Sequence, residues 1–400
     1  MTDASTTSRP LFNRQQLISL FLPLVAEQAL SISIGLADTL MVSSVGEAAV
    51  SGVSLVDSFN VLMIQLLSAL ATGGAVVASQ YIGHREPKRA KASAAQIMFI
   101  MISLSVVTAV IVAVGRHAIL RGIFGSIDAD VMRYAETYFL LSALSYPFIG
   151  VYNAGAALFR AQGNSKISML SSLVMNVVNI GGNAILIYGF GMGVMGAATA
   201  SLVSRMIACF TVMFLLQKPD CALRIDHLTD LKPDLDLIKR ILKVGIPAAL
   251  QMAVTAFSNV FVQSYINSFG EDCMGGWTAY VKIDQFLFLP MQSISLAVTT
   301  FVGQNLGINQ VARAKKGIRA GMLMAVACTA LLMVPVLIFA PQLVEFFNKK
   351  REIVDYGSML LRLISPFYVF CCINQIFAGA LRGAGNSRTC LLYTSPSPRD

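Results

Sequence analysis

Ten long apolar stretches run through the chain, at roughly 17–42, 50–82, 92–115, 132–159, 167–189, 193–217, 239–268, 273–303, 317–341 and 353–381. A helix needs about 20 mainly apolar residues to cross a bilayer. Inside lipid every backbone polar group must be satisfied within the segment, so apolar runs of this length fold as helices. The expected fold class is an all-α membrane protein. Composition agrees: 56% of residues are hydrophobic, only 13% are charged, and mean hydropathy is +0.68. A soluble domain is roughly a quarter charged. This balance excludes an ordinary cytoplasmic enzyme, a disordered chain and a nucleic-acid binder, despite a net charge of +9. Seven cysteines, an odd number mostly within apolar runs, and three histidines argue against a disulfide scaffold or a zinc site. Met1–Pro10 is polar and lacks the layout of a cleavable signal.

Lysine and arginine set the orientation. With the N-terminus in the cytoplasm, inward segments carry 20 of them and outward segments 6. The expectation is a multi-pass protein of the cell membrane with a cytoplasmic N-terminus. The longest loop, 217–236, is polar and divides the spans six and four.

That loop also divides a repeat. Ser79-Gln80-Tyr81-Ile82-Gly83 with Arg89-Ala90-Lys91 is matched by Gly303-Gln304-Asn305-Leu306-Gly307 with Arg313-Ala314-Lys315, at an offset of 224. Pro23 and Gly46 match Pro247 and Gly270 at the same offset. Arg160-Ala161-Gln162-Gly163-Asn164-Ser165-Lys166 matches Arg382-Gly383-Ala384-Gly385-Asn386-Ser387-Arg388 at offset 222. A repeat of six spans returns the chain to its starting side, so the halves are parallel and related by an axis along the membrane normal. Two parallel six-helix lobes around a central cavity is secondary-transporter architecture. No phosphate-cradling Gly-x-x-x-x-Gly-Lys-Ser/Thr motif occurs. The expected units are an N-terminal lobe, 1–216, the cytoplasmic inter-lobe loop, 217–236, and a C-terminal lobe of four helices, 237–389. Two further spans are expected to follow. Residues 390–400, with two prolines among the last five, look instead like a translated sequencing adaptor and are expected to form no membrane helix and to pack against nothing.

The ordered set Pro23…Ala37-Asp38-Thr39-Leu40-Met41-Val42, Val77-Ala78-Ser79-Gln80-Tyr81-Ile82-Gly83, Leu158-Phe159-Arg160-Ala161-Gln162-Gly163-Asn164 and Gly193-Val194-Met195-Gly196-Ala197-Ala198 resembles the multidrug and toxic compound extrusion (MATE) transporters. The resemblance covers Leu11 to Arg388. It implies twelve helices in two lobes and export of organic, often cationic, compounds against sodium or proton entry. It also implies a coupling-ion aspartate at Asp38. Sodium-coupled members offer an asparagine and, four residues on, an aspartate from the fifth helix, and a threonine from the sixth. Asn179, Asn183 and Ser201 stand at those positions, so Asn183 removes one negative charge and Ser201 keeps a hydroxyl. Sodium remains compatible with these oxygen ligands, and proton coupling through Asp38 alone is the alternative.

Ionisable groups within spans are costly and suggest function by default. Glu27 lies eleven residues before Asp38, about 16 Å along the same helix, as a second titrating or gating group or as part of a polar helix end. Asp57 and Arg205 are further candidates for an ion site or gate, with snorkelling the bland reading of Arg205. In the second lobe, Asp284 with Phe286, Phe288, Met291 and Gln292 is expected to line a substrate cavity, because aromatic faces attract organic cations and methionine adapts to varied ligands. Interhelical packing and ion pairing explain the same residues without function. Lys282 and Arg362 receive no role.

The expected function is a secondary active multidrug efflux antiporter. It would export organic cations in exchange for Na+ or H+, with no cofactor beyond the coupling ion and no enzymatic activity, acting as a monomer in the lipid bilayer. A lipid-linked precursor flippase shares the broad fold, but such proteins line the cavity with clustered cations, and only Arg205, Lys282 and Arg362 lie within spans, on three helices. A membrane enzyme lacks a clustered catalytic set here. A non-transporting membrane protein sits poorly with the six-span repeat.

Overall fold

The computed structural model describes residues 14–125, 128–225 and 232–394. Thirteen α-helices follow in order: α1 (Arg14–Val42), α2 (Glu47–Gly83), α3 (Pro87–Phe124), α4 (Ala129–Ala161), α5 (Ser165–Asn183), α6 (Gly193–Leu216), α7 (Leu235–Asn267), α8 (Glu271–Gly307), α9 (Val311–Ile338), α10 (Ala340–Glu345), α11 (Arg351–Ile364), α12 (Tyr368–Gly383) and α13 (Ser387–Thr394). Among the described residues, nine helical segments are long and apolar enough to cross a membrane, with α11 and α12 joined as one. The 33-residue α4 has the length of a tenth, about 50 Å. Each expected apolar stretch thus corresponds to one helical segment. The last is broken by a 3-10 turn at Ser365–Phe367, where Pro366 removes a backbone donor.

Local chemistry sets the ends. Asp128 caps α4, accepting from the backbone N–H of Asp130 at 2.9 Å. Asp234 caps α7, accepting from Asp236 and Leu237 at 3.0 and 3.2 Å. Gln96 of α3 donates to the Lys232 carbonyl and accepts from the Asp234 N–H, tying the inter-lobe loop to the first lobe.

The repeat is visible in the backbone. Positive φ recurs at Gly46 (135°) and Gly270 (96°), at Arg85 (57°) and Asn309 (56°), and at Gly163 (81°) and Gly385 (79°), at the sequence offsets of 224 and 222. A non-glycine residue at positive φ is uncommon, so its recurrence at Arg85 and Asn309 marks the same turn built twice.

One large apolar core runs through α1–α6 and takes in Leu237, Ile241 and Val244 from the start of α7. Smaller cores join α8, α9 and α12, and α8 with α10 and α11. The lobes meet along α2, α7 and α8, where glycines permit close approach. A Cβ at Gly73 would lie 2.4 Å from Gly245 Cα, and one at Gly83 would lie 2.3 Å from the Gln304 carbonyl oxygen. Gln80 Nε2 donates to the Gly383 carbonyl at 3.1 Å, and Gln304 Nε2 donates to the Ala161 carbonyl at 2.6 Å. The two bonds are counterparts under the repeat. Leu20 and Leu24 of α1 join Ala297 and Phe301 of α8 in a further small core, and every buried residue of α7 lies within Leu237–Ala248.

The tail departs from expectation. Helix α13 continues through residues 390–394, and Cys390 is buried, its thiol 3.4 Å from Gln251 Oε1 and 3.8 Å from the Ala378 carbonyl. The physical reason is that both prolines come later, at 396 and 398, so nothing before them stops the helix begun at Ser387. Residues 395–400 lie outside the described residues.

Candidate functional site

The first lobe holds a polar centre between α1, α5 and α6. Asp38 of α1 is 3% exposed. Its Oδ1 accepts from Asn183 Nδ2 at 2.5 Å and its Oδ2 accepts from Ser201 Oγ at 3.0 Å. Ser201 Oγ in turn accepts from Asn179 Nδ2 at 3.0 Å. The four residues that the resemblance singled out are therefore one hydrogen-bonded cluster. Asn179 and Asn183 lie one turn apart on α5, on one face. Directly after Asn183 the helix widens into a π-turn at Ala184–Gly189, a local irregularity that recurs at functional sites. The Oδ1 atoms of Asn179 and Asn183 are buried and accept no hydrogen bond from the described residues. A carboxylate held by neutral donors, beside two unsatisfied amide oxygens, can take a small hard cation or a proton.

A second acid lies nearby on α2. Asp57 Oδ1 accepts from Tyr138 OH at 3.1 Å and from Asn60 Nδ2 at 3.4 Å. Asn60 also accepts from Tyr146 OH at 2.7 Å and donates to Ser142 Oγ at 3.1 Å. Arg205 of α6 donates to Ser145 Oγ of α4 at 2.5 Å. The Arg205 guanidinium is thus hydrogen-bonded to α4 within the first lobe.

Glu27 sits nearer the seam. Its Oε1 accepts from Arg160 Nη1 at 2.7 Å and its Oε2 accepts from Ser168 Oγ at 2.7 Å, all three buried. Arg160 counts as a loop cation in the sequence; the structure places it inside the last turn of α4.

The second-lobe residues separate. Asp284 accepts a hydrogen bond from Tyr368 OH, and Tyr368 OH lies 2.9 Å from Tyr280 OH. Phe288 packs edge-on against Tyr368 at 5.3 Å, and Trp277 lies 5.0 Å from Tyr280. Met291, however, is fully buried in the apolar core, while Phe286 is 49% exposed and Gln292 is exposed. The five expected cavity residues do not share one surface. The α-helical advance of 100° per residue turns position 286 away from the face shared by Asp284 and Phe288.

Tyr138, Asn60, Arg160, Ser168 and Tyr368 bond these acids directly, and Tyr146 and Tyr280 reach them through Asn60 and Tyr368; none of the seven is singled out in the sequence. A polar or aromatic residue within an apolar run was the available signal, and it does not name a partner.

The fold and the site define a polytopic helical membrane transporter with two repeated lobes. Comparisons with known proteins agree. The MatE family profile matches residues 23–185 and 247–395. The chain belongs to the MatE family of multidrug and toxic compound extrusion transporters. It is 27% identical over 345 residues to the probable multidrug resistance protein YoeA of Bacillus subtilis (strain 168), covering 84% of this chain and 74% of that one. It is 25% identical over 389 residues to the probable multidrug resistance protein NorM of Thermotoga maritima, covering 95% and 82%. Among solved structures, the outward-facing conformation of a multidrug resistance MATE family transporter superposes with a TM-score of 0.89 at 22% identity, covering 95% and 84%. That likeness establishes the fold.

Proposed function

We propose that this transporter exports organic cations in exchange for a coupling cation, Na+ or H+, held at Asp38 with Asn179, Asn183 and Ser201. The observation that carries the reading is the pair of buried, unsatisfied Asn179 and Asn183 oxygens beside a buried carboxylate. Buried polar groups are normally satisfied, and a bound cation, or a water beside a protonated Asp38, satisfies these. Asn183 keeps the ligand oxygen while removing a charge, which lowers sodium affinity and leaves the proton as the stronger competitor. Relatives with multidrug names support the substrate class. In the second lobe, Asp284 with Tyr280, Phe288 and Tyr368 combines a carboxylate with aromatic rings, chemistry suited to an organic cation.

The protein lies in the cell membrane with its N-terminus in the cytoplasm, on the basic bias of the segments on that side. The seam of Gln80 and Gln304 is then the cytoplasmic gate. The transporter acts as a monomer in the bilayer.

Reconstitution in liposomes with ethidium, under separate sodium and proton gradients, tests the reading. Export driven by one of them and lost in Asp38→Asn supports it. Export indifferent to both gradients overturns it.

A further inference from the structure

Helix α5 carries a polar stripe longer than the cation site needs. Ser165, Ser168, Ser171, Ser172, Asn176, Asn179 and Asn183 are each at most 2% exposed. Most recur at spacings of three and four, so they lie on one side of the helix. The stripe follows α1: Ser165 Oγ donates to the Leu20 carbonyl at 2.9 Å, Ser168 to Glu27 and Asn183 to Asp38. It therefore runs about 22 Å, from Ser168 to Asn183, beside the two buried acids of α1, which lie about 16 Å apart along their own helix. Its middle is unsatisfied. Besides Asn179 and Asn183, Asn176 Oδ1 is buried and without a protein donor, while Asn176 Nδ2 donates to the Ser172 carbonyl at 2.9 Å.

We propose that this stripe is the route by which the coupling cation leaves Asp38 for the cytoplasm, with Glu27 and Arg160 as its last station. The inference rests on cation coupling at Asp38, argued above, and adds the path within the lobe. Neutral amide and hydroxyl oxygens suit the passage of a partly dehydrated cation, or of the waters that relay a proton. No described acid of the stripe stands between Asp38 and Glu27 to trap the ion. The ends differ in charge. Asp38 accepts hydrogen bonds from the neutral donors Asn183 and Ser201, whereas Glu27 already shares its carboxylate with Arg160 at 2.7 Å. A cation reaching Glu27 competes with a guanidinium and is held more weakly, so this end releases. For a proton, the O–H bond of the Asp38 carboxyl breaks, the proton passes along water, and an O–H bond forms on Glu27 before loss to the cytoplasm.

The exit is coupled to the gate. Arg160 lines the narrow space between the lobes together with Thr72, Ser79, Thr299 and Thr300. Its neighbour Ala161 accepts the Gln304 bond that closes the seam. Opening the seam exposes the Glu27 end and lets the ion depart on that side alone.

The test places an apolar plug mid-stripe, away from both acids. Asn176→Leu and Ser172→Val are reconstituted, with Asn176→Ser as a variant that keeps an oxygen. Equilibrium cation binding is read as Na+- or pH-dependent thermal stabilisation in detergent. Cation release is read as exchange of 22Na+, or of a proton reported by an internal dye, across the liposome membrane. The expected result is wild-type equilibrium binding with exchange and ethidium export slowed at least tenfold in the plugged variants, and near wild-type rates in Asn176→Ser. Wild-type exchange in either folded plug overturns the path. So does a loss in Asn176→Ser as large as in Asn176→Leu, which assigns the residue to packing. If wild type shows no cation-dependent stabilisation, or Asp38→Asn retains it, the coupling site itself fails, a result separate from the exchange rates.

Discussion

Gln304 on α8 reaches across the seam between the lobes and donates its side-chain amide to the main-chain carbonyl of Ala161, 2.6 Å away at the end of α4. Gln80 makes the repeat-related bond to Gly383 in the other direction. Each glutamine thus holds the opposite lobe by a backbone atom, so the bond depends on helix placement rather than on a particular facing side chain. Breaking both, by Gln80→Ala with Gln304→Ala, should favour the cytoplasm-open state by about 2 kcal/mol, roughly 30-fold in populations. A cysteine at Thr72 labelled by a membrane-impermeant maleimide from the cytoplasmic side measures this. Gly83→Ala should act in the same direction, because its Cβ would sit 2.3 Å from a backbone oxygen that cannot rotate away.

Asp38→Asn should reduce ethidium export to the level of empty liposomes while leaving insertion intact. The change is nearly isosteric: the amide oxygen keeps accepting from Asn183, and the amide NH2 can donate to Ser201 Oγ in place of the bond it loses. It removes the only carboxylate of the cluster. Export rates at matched protein content check it, and wild-type transport would remove Asp38 from the coupling step.

Asn183→Asp should raise apparent sodium affinity roughly tenfold, about 1.4 kcal/mol, by placing a second negative charge beside the cation. A sodium titration of export reads the shift. An unchanged sodium response would show that α5 does not ligate the ion.

Arg160→Met should destabilise the protein by about 3–5 kcal/mol, since it strips the buried Glu27 carboxyl of its ion-pair partner. Adding Glu27→Gln should restore most of that loss, because the orphaned acid goes with it. Thermal unfolding in detergent of both single variants and the double variant measures the coupling between them.

The all-helical class, the number of apolar segments and the internal repeat were legible in the sequence because each is a local or periodic property. Hydropathy over about 20 residues needs no knowledge of neighbours, and the turn chemistry of Gly46 and Gly270, or Gly163 and Gly385, is written where it acts. Asp38, Asn179, Asn183 and Ser201 were legible by resemblance, and their common cluster follows from three helices meeting. What tertiary structure alone decided is which distant groups share a buried space. Arg160 reads as a loop cation, yet α4 extends far enough to bury it against Glu27, 133 residues away. Asp284 reads as the centre of a pocket with its near neighbours on α8, yet its hydrogen bond goes to Tyr368 on α12, while Phe286 and Gln292 turn outward. Residues 390–394 read as a tail, yet they continue α13, because the helix-breaking prolines stand later in the sequence. Apolar packing in such a chain specifies that helices associate; the partner of each buried polar group is set by the register and rotation at which they do so, and no local signal encodes those.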